Sequence, residues 1–324
     1  MTDSAGPRYR SLVKQLAALL IVAAVAFFFW NAIRSNWAEV RAHDFKFNYW
    51  FVAIAFLGVL ASSLLSTLAW QTTINSLSEK PMTFSHSVAT VNTTSLTKYL
   101  PGKFWSYALQ MYWLVKHGYT KSLVLYVNLL NLVISLLTGV LVGLGLLLFS
   151  NRFPLWVTLS AFALALVADV ICLRFHAASF RLAGAWAKRL FKRDIGQFDV
   201  SARTMFRLHL IHFCCQLISA AGAYVLCFGI GYRLEFGKVM LVMSALILSD
   251  VASFVAFVVP GGLGVREGVM YLLLGGVAAG SLALVLPIAS RMVYLVGDAL
   301  LGAIALYLLR RSIPVAETVV DPQP

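Results

Sequence analysis

Residues 258–268 read VVPGGLGVREG. An apolar run meets a proline and three glycines, and Arg266 and Glu267 follow side by side. Long apolar blocks lie on both sides of this stretch. FVAIAFLGVLASSLLSTLAW (51–70) and LVLYVNLLNLVISLLTGVLVGLGLLLF (123–149) contain no charged residue. About 20 apolar residues in a helix span the ~30 Å hydrocarbon core of a bilayer. The fold therefore turns on what a proline-glycine break with two charges does inside a helical membrane protein.

Composition sets the class. The chain of 324 residues is 60% hydrophobic and 12% charged, with a mean hydropathy of +0.83. Soluble domains run nearer ~45–50% apolar and ~25% charged. The reading is an all-α, polytopic membrane protein forming one integral membrane domain over 1–324, with disordered tails at 1–10 and 312–324. Full spans are expected near 12–33, 49–73, 122–149, 153–174, 206–230 and 281–309. Arg8, Arg10 and Lys14 before the first apolar run resemble a signal sequence. The run ends in the bulky FFFWNAIRS without a small-residue cleavage site, so an uncleaved helix is expected.

Two further stretches, 83–116 and 238–276, are apolar but interrupted, at Pro101-Gly102 and at Pro260-Gly261. The arms that follow, 103–115 and 263–275, are too short to cross as straight helices. The breaks lie about half the chain apart, each between full spans. Lysine and arginine give the orientation. With a cytoplasmic N-terminus, the inner side receives Arg8, Arg10, Lys14, Lys80, Lys116, Lys121, the basic run from Arg174 to Arg207, Arg310 and Arg311. The outer side receives only Arg34, Arg41, Lys46, Arg152, Arg233 and Lys238. Both termini then lie in the cytoplasm, and the broken segments enter from opposite faces. That is the inverted repeat of many transporters, whose interrupted helices meet near the midplane.

The net charge of +13 comes from residues flanking membrane segments, which favours lipid over nucleic acid as a partner. Residues 175–194 alternate aromatic and basic positions at helical spacing, as an interfacial amphipathic helix would. Cys172, Cys214, Cys215 and Cys227 lie in apolar stretches without zinc-ligand spacing. His209 and His212 precede two of them, but packing is the favoured role and no metal or other cofactor is expected. No G-x-x-x-x-G-K-[ST] motif is present, so ATP drive is not expected.

Lipid cannot satisfy non-helical backbone, so both breaks should face protein or water. A helix N-terminus with free N–H groups and a nearby cation suits a phosphate or carboxylate. Lys98 and Lys103 flank the first break and Arg266 the second. Gly102, Gly261, Gly262 and Gly264 would let backbone approach a ligand. Trp105 and its aromatic neighbours either pack at the interface or line a lipid path. The serines, threonines and Asn92 of 85–97 suit a polar cavity or helix–helix hydrogen bonds. A charge at membrane depth costs about 3 kcal/mol or more unless paired or wet. Asp250, Glu267, Arg291 and Asp298 therefore admit two readings. They form a ligand site with a proton-coupling carboxylate at Asp250 or Glu267, or they are pairs that fix the bundle. Asp169 reads as a neighbour of Arg174.

KYLPGKFW in the first half, with PGGLGVREG and RMVYLVGDALLG in the second, resembles the membrane (flippase) region of lysyl-phosphatidylglycerol synthases over roughly 15–310. The resemblance implies a multi-pass protein of the bacterial inner membrane concerned with lipid or glycolipid handling. It implies importance for Pro101, Gly102, Lys103, Pro260, Gly261, Gly262, Gly264, Arg266, Glu267 and Arg291. The soluble aminoacyl-transfer domain has no counterpart in the sequence, so that activity is not implied. A flippase-like transporter leads. The alternatives are a membrane enzyme acting on a lipid-linked substrate, for which no catalytic motif appears, or a non-transporting partner of lipid-biosynthesis enzymes.

Overall fold

The computed structural model describes residues 34, 38, 41, 46–95, 104–191, 198–256, 262, 264–276 and 280–312, with side chains undescribed at 95, 104–105, 176–191, 280 and 311–312. Among the described residues the chain is helical and has no strand. In order the helices are α1 (Tyr49–Leu77), α2 (Phe84–Ser95), α3 (Phe104–Lys116), α4 (Lys121–Leu148), α5 (Leu155–Phe191), α6 (Ala202–Gly229), α7 (Phe236–Val255), α8 (Val265–Leu274) and α9 (Gly280–Ser312).

Helix starts are marked by side-chain caps, as polar residues at the edge of apolar runs dictate. Asn48 Oδ1 accepts from Trp50 N at 3.1 Å, Thr120 Oγ1 from Leu123 N at 3.3 Å, and Ser201 Oγ from Thr204 N at 3.2 Å. Six described helices are long and apolar enough to cross a membrane. Five match expected spans: α1, α4, the first part of α5, α6 and α9. The sixth is α7, which the sequence placed in the second broken stretch. Its 20 residues reach span length by themselves, so the second break follows a full-length arm. The span expected at 12–33 and the tails 1–10 and 313–324 lie outside the described residues.

Helix α5 continues past its apolar part. Phe175, at φ −116° and ψ 19°, kinks it, and helical backbone runs on to Phe191. The kink separates the apolar sequence from the basic-aromatic one. Only 11% of the most apolar part of α5 is buried, against 44% for α6 and α7. Trp156, Leu164 and Val167 point outward, as on a helix facing lipid.

The packing scheme is symmetric. Helix α1 packs on α6; α2 on α9 and α7 on α4; α2 on α3 and α7 on α8; α3 on α4 and α8 on α9. Exchanging α1–α4 for α6–α9 leaves this scheme unchanged. The central pair runs antiparallel: Asn48 N donates to Gly229 O at 2.9 Å, and a Cβ on Gly222 would rest 3.5 Å from Ala55 O. Farther along, Ser62 Oγ donates to Cys215 O at 3.1 Å and Cys215 Sγ to Ser62 O at 3.5 Å. These residues are 153 apart, the spacing between the first residues of α1 and α6, Tyr49 and Ala202. Equivalent residues exchanging equivalent bonds are what a two-fold axis requires of an isologous contact. Because α1 and α6 are antiparallel, the rotation reverses chain direction, the relation expected for an inverted repeat.

Small residues permit the closest approaches. At Gly143 a Cβ would stand 2.6 Å from Leu248 Cδ2, and Ser244 Oγ donates to Gly143 O at 2.8 Å, fixing α4 against α7. The largest apolar cluster joins α6, α7, α8 and α9 through Leu226, Leu246, Met270, Leu274 and Leu286. It is the frame on which the second break is mounted.

Candidate functional site

Helix α8 opens at Gly264 with φ 82°, a left-handed conformation that a side chain rarely adopts. Gly262, one position upstream of Leu263, has φ 64° and is buried. A Cβ there would overlap Ser253 Oγ and reach within 2.8 Å of Ser253 Cβ on α7. Gly262 is needed for contact with Ser253, and Gly264 for the turn.

Glu267 folds back on that turn. Its Oε2 accepts from Gly264 N at 2.6 Å, and its Oε1 accepts from Arg291 Nη1 of α9 at 3.0 Å. The carboxylate therefore occupies part of the α8 N-terminus, where an unpaired anion was expected to bind. Both partners are about nine-tenths buried, Glu267 at 8% exposure and Arg291 at 9%. Of the two readings open for this pair, the geometry matches the one in which Glu267 holds Arg291.

Arg266 points the other way. Its Nε lies 2.5 Å from Asp250 Oδ1 of α7, an ion pair between the two helices. The guanidinium stacks on the Tyr294 ring at 4.5 Å, a cation–π contact. Tyr294 in turn shares a hydrogen bond with Ser219 Oγ of α6. Arg266 Nη2 is buried and has no hydrogen-bond partner among the described residues, in a residue only 6% exposed. A buried donor left unmade costs about 1–3 kcal/mol, more when charged. The Asp250 side chain is 37% exposed, so this ion pair opens on one side, unlike Glu267–Arg291. A void of about 10 Å³ beside Tyr294, Ser219 and Ser290 has room for about one water.

Lys98, Pro101, Gly102, Lys103, Pro260 and Gly261 lie outside the described residues. Trp105 lies in the first turn of α3, in a part where only the backbone is described. Gly262, Gly264, Arg266, Glu267, Arg291 and Asp250 are brought together at the junction of α7, α8 and α9. Asp298 is buried farther along α9.

The polar residues of α2 mostly serve its own backbone. Ser87 Oγ donates to Thr83 O, Thr90 Oγ1 to His86 O, and Thr94 Oγ1 to Thr90 O, the back-bonding usual for hydroxyls in helices. Asn92 reaches α1, donating to Thr67 Oγ1 at 3.2 Å. Helix–helix bonding is thus present. Thr93 Oγ1 alone among these hydroxyls is buried without a partner among the described residues.

Three groups escaped the sequence reading. Tyr294 had a signal, since Arg291, Tyr294 and Asp298 recur at helical spacing on one face of α9. Asp169 pairs with His209 Nε2 of α6 at 3.2 Å, which corrects its assignment to the neighbourhood of Arg174. His212 lies 3.4 Å from Asn131 Oδ1, and Asn131 Nδ2 donates to Thr73 Oγ1 at 2.9 Å. These partners are far apart in sequence, and spacing gives no hint of them. No group of three His, Cys, Asp or Glu side chains placed to hold a metal occurs among the described residues.

The family model described as the lysylphosphatidylglycerol synthase TM region matches residues 15–302, most of the chain. No curated protein and no solved structure matches it. The chain belongs to the lysylphosphatidylglycerol synthase TM region family.

Proposed function

From that membership, we propose that the protein is a flippase-like transporter. It moves a lipid or glycolipid with an anionic head group across the bacterial inner membrane, with both termini cytoplasmic. The head group is held between the Pro101-Gly102 and Pro260-Gly261 breaks, and the two halves rock around it. The observation that carries this reading is Arg266. It is a buried cation at a helix break whose Nη2 has no partner among the described residues, next to an ion pair open on one side. A phosphate oxygen supplies the acceptor that Nη2 lacks and competes with Asp250 for the guanidinium.

The two carboxylates then divide the work. Glu267 is committed to Arg291 and to the Gly264 N–H, so it maintains the site. Asp250 is the carboxylate that exchanges partners, and it is the candidate for proton coupling once an anion takes Arg266. Lys98 and Lys103 complete the charge from the other half.

The test is head-group movement in reconstituted vesicles, followed by quenching of a fluorescent anionic phospholipid. Arg266→Gln is expected to slow movement at least tenfold while the protein elutes and melts as wild type. Lys103→Gln should slow it less. Wild-type rates in both variants would overturn the reading. Rates that do not change across a pH gradient in wild type would remove Asp250 from the coupling role.

A further inference from the structure

A second polar cavity lies at the corner where α2 begins and α3 and α9 end. It is a cleft of about 190 Å³. Met82, Ala89 and Leu114 form a buried apolar floor, while His86, His117 and Tyr119 line its polar side. Enclosed sites for drug-sized ligands run from about 300 Å³, so the cleft suits a head group rather than a whole lipid.

The rim sets two histidines beside the permanent cations Lys80 and Arg310. His117 Nδ1 lies 2.8 Å from Trp113 O. A carbonyl only accepts, so Nδ1 carries the proton and Nε2 is left for the cleft. His86 is exposed on the facing wall, where its backbone carbonyl is taken by Thr90 Oγ1 and its ring bonds to no described residue. Tyr119 Oη donates to Lys80 O at 3.1 Å, which pins the loop before α2 to the turn after α3. That brings the Lys80 ammonium to 3.2 Å from where a Gly118 Cβ would stand, at the mouth of the cleft. Arg310 follows the lining residue Leu309, and exposed Glu79 is the one acidic neighbour beside Lys80.

The cleft also leads somewhere. His86, Thr90 and Thr93 recur at i, i+4 and i+7, one stripe of α2. The stripe ends at the Thr93 hydroxyl, which has no partner among the described residues. The 12 residues of α2 cover about 18 Å from the cleft to Ser95. The equivalent corner of the other half is closed: Arg152 Nη2 donates to Leu272 O at 3.1 Å, and Leu147 and Leu274 share one apolar cluster.

We propose that this cleft docks the phosphate head of an anionic phospholipid from the adjoining leaflet, with His86 and Lys80 as its donors and His117 donating from Nε2 when its ring is doubly protonated. The docked head is the one that then passes along the α2 stripe to the break. The passage rests on the transport reading above, while the docking does not.

Binding is measured on the full chain in maltoside micelles, which contain no phosphate. The probes are a short-chain phosphatidylglycerol below its micelle concentration, the matching phosphatidylcholine, and inorganic phosphate. Phosphatidylglycerol is expected to bind at least tenfold more tightly than phosphatidylcholine. Both H86Q/H117Q and the cleft-filling L309W should weaken it at least fivefold. Two variants acting by different means, each checked for wild-type melting, guard against simple misfolding. Unchanged affinity in both overturns the proposal. Inorganic phosphate binding as tightly as the lipid, and lost in the same variants, overturns the lipid source. Arg266→Gln separates the two readings, since it should keep this binding and lose movement. Docking by a wild-type protein that moves no lipid would uphold the cleft and sink the transporter.

Discussion

The two halves place an interrupted segment at equivalent points and build it from different chemistry. In the first half, α2 reaches its break with hydroxyls and one amide, most of them bonded to their own helix. In the second, the break is flanked by four buried or half-buried charges tied across three helices. The same packing scheme supports both. The difference teaches that pseudo-symmetry fixes where the backbone is interrupted, while local side chains decide what the interruption is for. A self-satisfied polar helix tolerates movement, because its bonds travel with it. A cross-helix ion pair resists movement, because separating buried partners strands both charges.

The largest effect expected from breaking this contrast is at Glu267. Glu267→Gln removes the charge that compensates buried Arg291, a loss of about 3–5 kcal/mol for pairs of this kind. The melting temperature in detergent should fall sharply, and Glu267→Gln with Arg291→Met should recover much of it. Additive losses in the double variant would show that the pair is not a unit. Gly262→Ala comes next. Strain at positive φ and overlap with Ser253 together cost about 2–4 kcal/mol, whereas Gly118→Ala, also at positive φ but in an exposed turn, should cost about 1 kcal/mol. Equal melting of the two variants would mean that the Ser253 contact relaxes freely.

In the first half, Asn92→Ala removes one interhelical bond, worth about 0.6–2 kcal/mol within a membrane. Its effect on stability should be well below that of Glu267→Gln. A comparable loss would erase the contrast between the halves. The smallest effects belong to the central contact. Ser62→Ala and Cys215→Ala should each cost about 1 kcal/mol or less, the thiol at 3.5 Å donating more weakly than the hydroxyl at 3.1 Å. A loss in either variant as large as that of Glu267→Gln would mean that the central contact carries far more than these bonds.

Much of this was legible in the sequence. Uncharged runs near 51–70 and 123–149 identify spanning helices because no other structure satisfies backbone in lipid. Pro260 and its glycines mark the second break because proline and left-handed glycine end a helix. The pairing of Arg291 with Glu267 was one of two open readings, since buried charges need partners but spacing does not name them. The span length of α7 is hidden in the sequence because the apolar run continues past Val255 to Pro260 without a polar residue to mark the helix end. The His86–His117 cleft was not legible at all. Its walls are separated by more than a turn of chain in every direction and meet only when α2, α3 and α9 converge.

What the sequence determined alone is the solvent and the grammar: a helical chain in lipid, interrupted twice, with charges at the second interruption. Those follow from local properties, namely the hydropathy of a run, the φ that proline imposes and the cost of an isolated charge. Tertiary structure decided which charge belongs to which. Arg266 and Glu267 are adjacent in sequence, yet α8 sends them to different helices, one to Asp250 of α7 and the other to Arg291 of α9. Consecutive helical residues point about 100° apart, so neighbours in the chain become members of separate pairs, one closed and one open.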